Sequence, residues 1–324
     1  MYAAPFAIDS IAKEIQWERS PFVDIDTAAL AALIRLWAPD SRVTRCELIA
    51  RGGRNTNYRI AIEGQRTEFV MRIYAFELDA WRKEQALHRL LADAVPSPCV
   101  VYSGFEPSVF PQPVTVFEYI EGESLRDGLV AGRAPATSLL RRLGGSLAHI
   151  HAHPYDRTGS LDENLRVVDD LPPFEDWIDL FLNARARARL GADVVTRYQA
   201  YVRDSGSELA RIASWTTLVH GDFRPTNVLV RGDDLVAVID WEFSFADHPF
   251  SDLGQMIRHG WMSSAMEEGF VKAYNEVSAS PLPGDWKKLA RLRDSINLLQ
   301  LIGGKNDRPR MYEDLRRLIL SVIE

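Results

Sequence analysis

Three oxygen-bearing side chains fall close together in one stretch of the chain. Asp222 and Asn227 lie in His220-Gly221-Asp222-Phe223-Arg224-Pro225-Thr226-Asn227, and Asp240 opens Asp240-Trp241-Glu242 shortly afterwards. Between them, Val228-Leu229-Val230 and Val236-Ala237-Val238-Ile239 read as two short strands joined by the turn Arg231-Gly232-Asp233-Asp234. Asn227 enters the first strand and Asp240 leaves the second. Antiparallel pairing therefore puts both at the same open end of a hairpin. An amide oxygen and a carboxylate converging there suit Mg²⁺, which keeps few protein ligands and takes the rest from water and phosphate. Asp222 sits just upstream, on a loop restrained by Pro225. A carboxylate beside the metal accepts a proton from an incoming hydroxyl, and a general base of this kind is worth about 10²–10⁴ in rate. Arg224 adds positive charge where that of a transferred phosphoryl group must be held. Phosphoryl transfer asks mainly for positioning and charge neutralisation, and these residue types supply both.

The two halves, HGDFRPTNVLV and VIDWE, resemble the catalytic loop and metal motif of the aminoglycoside phosphotransferase/choline kinase family. That family is similar in fold to protein kinases. The resemblance implies Asp222 as catalytic base, Asn227 and Asp240 as Mg²⁺ ligands and His220 as a loop-organising residue. Arg224 falls where protein kinases carry a lysine near the γ-phosphate. ATP or GTP is the implied donor, and a small molecule bearing a hydroxyl the implied acceptor.

The elements that must position these groups begin upstream. Val43–Ala50, Tyr58–Ile62 and Phe69–Tyr74 read as strands, Phe76–Leu91 as an amphipathic helix, and Val100–Val101 and Val114–Tyr119 as further strands. Arg51-Gly52-Gly53-Arg54-Asn55-Thr56-Asn57-Tyr58 resembles the family's loop between the first two strands, which makes Gly52, Gly53 and Asn57 nucleotide-site candidates. Gly52 and Gly53 also let backbone N–H groups approach phosphate oxygens. Arg72 stands where protein kinases place the lysine that holds the α- and β-phosphates; arginine keeps the charge but offers a forked contact. Glu84 on the following helix is its candidate ion partner. By family position, Glu118-Tyr119-Ile120 is the hinge, with backbone groups of Glu118 and Ile120 facing the base.

Glu121-Gly122-Glu123-Ser124 reads as a connector. Beyond it the chain is helical apart from the hairpin: Leu139–His151, Phe174–Leu190, Asp193–Ile212, Ser251–Trp261, Ala265–Val277, Trp286–Leu301 and Tyr312–Val322. The expectation is an α+β, protein-kinase-like fold of two lobes. An antiparallel β-rich lobe spans residues 1–119, with a helical extension over about 1–40, and a mainly helical lobe spans residues 120–324. Trp241, Glu242 and Asp247 are candidates for the substrate side. Glu242, Asp247, Glu267 and Glu268 would form an acidic rim for a cationic acceptor if they gather on one side.

Other features compete for attention. Gly303-Gly304-Lys305 lacks the GxxxxGK[ST] spacing and follows a helix, so it reads as a glycine-capped helix end. His149, His151 and His153 lack the glutamate of a zinc-binding helix, and His151 reads as a packing residue. Trp177, Trp241, Trp261 and Trp286 are the right type for a quaternary-ammonium cage, but at helical spacing they read as core. Cys46 and Cys99 fit neither a disulfide framework nor a zinc site and are expected as reduced core residues in a cytoplasmic protein.

The chain has 324 residues and a net charge of −7, which does not favour a nucleic-acid partner. No run reaches the roughly 18 apolar residues of a membrane span, and Met1–Trp17 lacks a signal-type apolar stretch. Two other functional classes remain open. One is a non-catalytic nucleotide-binding module of kinase-like fold. The other is a protein kinase, disfavoured because Asp240 to Ser251 is too short for a long activation segment. The sequence leaves oligomeric state unassigned.

Overall fold

In the computed structural model, residues 22–51, 55–75, 77–305 and 308–324 are described. The chain opens with helix α1 (Thr27–Arg35), capped by the Asp26 carboxylate, which accepts from the Ala29 N–H. Strands β1 (Val43–Arg51), β2 (Thr56–Ile62), β3 (Phe69–Ile73), β4 (Val100–Gly104) and β5 (Val114–Glu118) form an antiparallel sheet in the order β1-β2-β3-β5-β4. Burial alternates strictly along β2. Tyr58, Ile60 and Ile62 face a core shared with Leu30, Leu33 and Ile34 of α1, leaving Asn57, Arg59 and Ala61 on the opposite face. Helix α2 (Ala80–Leu91) follows β3 and buries Glu84, Leu87, His88 and Leu91. The helix expected from Phe76 thus begins at Ala80, and Phe76 lies outside the described residues.

The helical part starts with β6 (Glu123–Ser124) and α3 (Leu125–Val130), the latter capped by Ser124. Helix α4 (Thr137–His151) comes next, then β7 (Gly159–Leu161) and β8 (Val167–Asp170). The helix expected over Phe174–Leu190 is two: α5 (Phe174–Phe181) and α6 (Ala184–Leu190). They break at Asn183, whose side chain caps α6 by accepting from the Arg185 and Ala186 N–H groups. The stretch Asp193–Ile212 also divides, into α7 (Ala192–Asp204) and α8 (Gly206–Ile212), at Ser205-Gly206. After β9 (Thr217–Val219), strands β10 (Val228–Arg231) and β11 (Asp234–Val238) make the expected hairpin, with Val228 opposite Val238. Strand β12 (Phe245–Asp247) and helices α9 (Phe250–Ile257), α10 (Ser264–Val277), α11 (Trp286–Ile302) and α12 (Pro309–Ile323) complete the chain.

Two features were not expected. Strand β6 extends the hairpin into a three-stranded sheet, and β8-β7-β12-β9 form a second small sheet. Their strands are three or four residues long, or only two in β6, too short for alternation to register.

Helices α4 and α10 meet at Gly144. A Cβ there would lie 2.2 Å from the Phe270 carbonyl oxygen, a backbone atom that cannot swing aside. Gly144→Ala should therefore force the helices apart and lower stability by about 1–3 kcal/mol. Gly145→Ala is the internal control. A Cβ there meets nothing within 4 Å, so it should be neutral or stabilising. Denaturant midpoints of the two variants check the pair.

Cys46 and Cys99 are free but exposed, not core residues. Cys46 lies on edge strand β1 and Cys99 immediately precedes the other edge strand, β4, each paired on one side only among the described residues. Trp241, Trp261 and Trp286 are buried in the core. Gly303 caps α11 with its N–H on the Leu299 carbonyl, as expected.

Candidate active site

The hairpin does what its register requires. Ile239 N–H donates to the Asn227 carbonyl at 2.9 Å, so Asn227 and Asp240 flank one open end. Asp240 adopts a left-handed conformation, φ 67° and ψ 58°, which turns the chain out of β11 into the tight turn Trp241–Phe243. Asparagine and aspartate tolerate that region better than most residues.

The Asn227 amide nitrogen donates to the Asp222 carbonyl at 2.8 Å and to Asp222 Oδ2 at 2.7 Å. Both amide protons are thereby committed, and Oδ1 is the atom left to accept from a donor or meet a cation. Arg224 Nη2 also donates to Asp222 Oδ2, at 2.9 Å, and its Nε pairs with Oδ1. Burial pushes the Asp222 carboxyl up, but the Arg224 guanidinium, with smaller contributions from His220 and Arg258, holds the group below the usual carboxylate range.

The loop carrying Asp222 is fixed from behind. His220 is fully buried. Its Nδ1 accepts from the Asp222 N–H at 3.2 Å, so the ring proton sits on Nε2 and points to the Ile239 carbonyl at 3.0 Å. Burial lowers its pKa, in keeping with this neutral form. Gly221 has φ +78°, and a Cβ there would lie 2.2 Å from the Phe243 carbonyl oxygen. Asp252, in the first turn of α9, accepts from the backbone N–H groups of His220 at 2.7 Å and Gly221 at 2.9 Å. His151 Nε2 reaches the same carboxylate at 3.2 Å, and its Nδ1 meets the Tyr274 hydroxyl at 2.9 Å. The sequence alone shows Asp252 only as an acid in a helix's first turn, a place suited to the helix dipole. Its grip on the loop joins positions 31 and 32 residues apart, beyond any local pattern.

Across from the hairpin, Arg72 projects from β3. Its Nη1 donates to Glu84 Oε1 at 2.6 Å, its Nε donates to Asn57 Oδ1 at 3.2 Å, and its Nη2 pairs with Asp240. Glu242 Oε2 is 3.9 Å from Arg72 and also accepts from Asn55. Tyr74 donates to Glu84 from the other side. Three carboxylates, Glu84, Asp240 and Glu242, thus surround one guanidinium. The two hard oxygen donors at the hairpin mouth fit Mg²⁺. Among the described residues no group of three His, Cys, Asp or Glu side chains is arranged for a metal; Asn227 and Asp240 remain the candidate donors.

The remaining candidates divide. Gly52 and Gly53 lie outside the described residues. The Glu118 N–H is taken by the Cys99 carbonyl at 3.0 Å, and β5 ends at Glu118, two residues before Ile120. Trp241 does not line a cleft: it is buried, with Nε1 donating to the Val238 carbonyl at 3.0 Å and its ring 4.6 Å from that of His220. Asp247 is also interior, paired with Arg293 and accepting from Ser251. Glu267 pairs with Lys287 at 2.8 Å. Glu242 belongs to the Arg72 cluster, so the four acids do not gather into one rim.

An antiparallel sheet and a helical part meeting at a loop aspartate, an amide–carboxylate pair and a buried arginine fit the kinase-like phosphotransferase class. The model of the phosphotransferase enzyme family matches residues 45–292, and the chain belongs to that family. Its fold is similar to that of the wild-type aminoglycoside 2′-phosphotransferase-IIIa GDP complex, with a TM-score of 0.68 and 18% identity, covering 92% of this chain and 99% of that one. It is similar also to aminoglycoside phosphotransferase APH(4)-Ia, with a TM-score of 0.65 and 17% identity, covering 92% and 98%. Mouse acyl-CoA dehydrogenase family member 10 is 27% identical over 190 residues, which are 54% of this chain and 16% of that protein. The chain therefore spans under a fifth of the length of that curated relative.

Proposed function

We propose that the protein transfers the γ-phosphoryl group of ATP or GTP to a hydroxyl of a small molecule. The observation that carries this is the meeting of Asp222, Asn227 and Asp240 on one loop–hairpin unit, with Arg72 paired to Asp240 from the sheet. In this reading residues 1–119 form the nucleotide lobe and residues 120–324 carry the catalytic loop and the acceptor site. Arg72, oriented by Glu84 and Asn57, holds α- and β-phosphate oxygens. Backbone groups of Glu118 and Ile120 receive the base, and Gly52 and Gly53 cover the phosphates. Asn227 Oδ1 and the Asp240 carboxylate would hold Mg²⁺, which would neutralise phosphate charge and orient the γ-phosphate. Asp222 orients the acceptor hydroxyl and takes its proton as the new O–P bond forms, while the bond to the β-phosphate oxygen breaks and the nucleoside diphosphate leaves. Arg224, already at the carboxylate, lies beside the equatorial oxygens of the transferred group.

Support for a nucleotide donor comes from relatives of the same fold caught with GDP, or with ADP and hygromycin B. A kanamycin complex of similar fold makes a small polyol-amine a reasonable first acceptor to try. We place the reaction in the cytoplasm; among the described residues no helix is long and apolar enough to cross a membrane. The test is an ADP- or GDP-release screen with Mg²⁺ over amino alcohols, sugars and aminoglycosides. Release that depends on one acceptor class is the expected result. Tight nucleotide binding without turnover on any acceptor would favour the non-catalytic module instead.

A further inference from the structure

The sheet face that carries Arg72 carries a second cation nearer the hinge. Asn57 pairs with Arg72 and Arg59 pairs with Val70, so Asn57 and Arg59 share that face. Two residues along β2 displace Arg59 from Asn57 by about 6–7 Å. The displacement runs toward the end of the sheet where Phe69 pairs with Glu118. The Arg59 guanidinium carbon sits 3.9 Å from the centroid of the Tyr119 ring, and Tyr119 lies between Glu118 and Ile120. Glu68 pairs with Arg59 and also with Arg45. The Glu68 carbonyl accepts the Tyr119 N–H at 2.8 Å. Ring, carboxylate and strand therefore hold one planar cation at the hinge edge of the slot, with its side chain 30% exposed.

Pairing with Glu68 alone would need no such placement; a surface ion pair contributes little to stability. A guanidinium already ordered on an aromatic ring loses little further freedom on contact with a ligand, and it can stack on a flat ring or donate to ring acceptors. The phosphate-holding role belongs to Arg72, one pleat away. We infer that Arg59, seated on Tyr119 and Glu68, contacts the nucleobase of the donor and sets part of the donor's affinity independently of its phosphates. The inference rests on the phosphotransfer reading of the same cleft.

Inorganic tripolyphosphate has the phosphates and no base, so it separates the two. Dissociation constants are measured with Mg²⁺ for ATP, GTP and tripolyphosphate in the wild type, Arg59→Ala and Arg59→Lys. Lysine keeps the charge and the Glu68 pairing but has no planar face, and it serves should alanine fail to fold. Both variants should bind the preferred nucleotide about five- to tenfold more weakly and bind tripolyphosphate as the wild type does. Equal weakening for nucleotide and tripolyphosphate, or no weakening of either, overturns the assignment of Arg59. A wild type that binds neither nucleotide nor tripolyphosphate overturns the phosphotransfer reading itself.

Discussion

Asp222→Asn should cut turnover by about 10² or more while nucleotide affinity stays near that of the wild type. The substitution keeps shape and removes the charge and the proton-accepting oxygen. General-base contributions of about 10²–10⁴ set the scale. Asp222 is held by Asn227 at 2.7 Å and by Arg224 at 2.9 Å, and it makes no contact with Arg72. Donor phosphates bound at Arg72 should therefore not sense its loss. The Arg224 side chain is partly exposed, so losing its partner does not strand a buried charge, and the fold should survive. The wild-type pH profile adds a second reading. Because Arg224, His220 and Arg258 together hold the Asp222 carboxyl below the usual range against the opposing effect of burial, the carboxylate is ionised throughout the neutral region. Its contribution is present above that lowered pKa and is lost only as pH falls through it, so no acid limb from Asp222 should appear between about pH 5 and pH 8. Steady-state turnover and separately measured nucleotide affinity decide the matter. Unchanged turnover in the variant removes Asp222 as the base.

How much of this arrangement is legible in the sequence depends on how local each part is. The hairpin is legible because it is short, alternating and closed by Gly232, and its register alone brings Asn227 and Asp240 together. The five strands of the first sheet and α2 are also read from local apolar patterns, though β4 runs on to Gly104 where only Val100–Val101 was expected. The pairing of Arg72 with Glu84 spans 12 residues on adjacent elements, and the resemblance to kinases supplies it. The grip of Asp252 on the His220 and Gly221 amides, and of His151 on Asp252, is not legible, since nothing in a helix's first turn says which distant loop it faces. Trp241 and Asp247 show the opposite failure. Both flank the metal motif closely in sequence, and both point inward, because the left-handed turn at Asp240 sends the next side chain beneath His220 and Arg293 draws Asp247 into the helical core. Sequence neighbours of a site residue need not share its direction. The helix break at Asn183 follows from capping chemistry that a hydrophobic period alone does not reveal.

Loss of Asp240 should act on the donor and not on the fold. In Asp240→Ala, Arg72 keeps Glu84 at 2.6 Å and Asn57 at 3.2 Å, so its buried charge stays paired and the heavy penalty for an orphaned ion is avoided. What disappears is the carboxylate at the hairpin mouth, leaving Asn227 alone, and one neutral amide oxygen does not retain Mg²⁺ against water. Mg²⁺-dependent nucleotide binding should therefore be abolished. Alanine also inherits a left-handed backbone, φ 67°, at a cost of about 1–2 kcal/mol. Asp240→Asn isolates the metal effect, because asparagine tolerates that conformation while lacking the charge. Calorimetric titration with ATP and GTP, with and without Mg²⁺, should show both variants folded. In each, the gain in affinity on adding Mg²⁺ should fall by tenfold or more. Wild-type Mg²⁺-nucleotide affinity in the alanine variant would refute the metal assignment. The phosphotransfer reading would fall with it, since nothing would then join Asn227 at the hairpin mouth to hold the donor's cation.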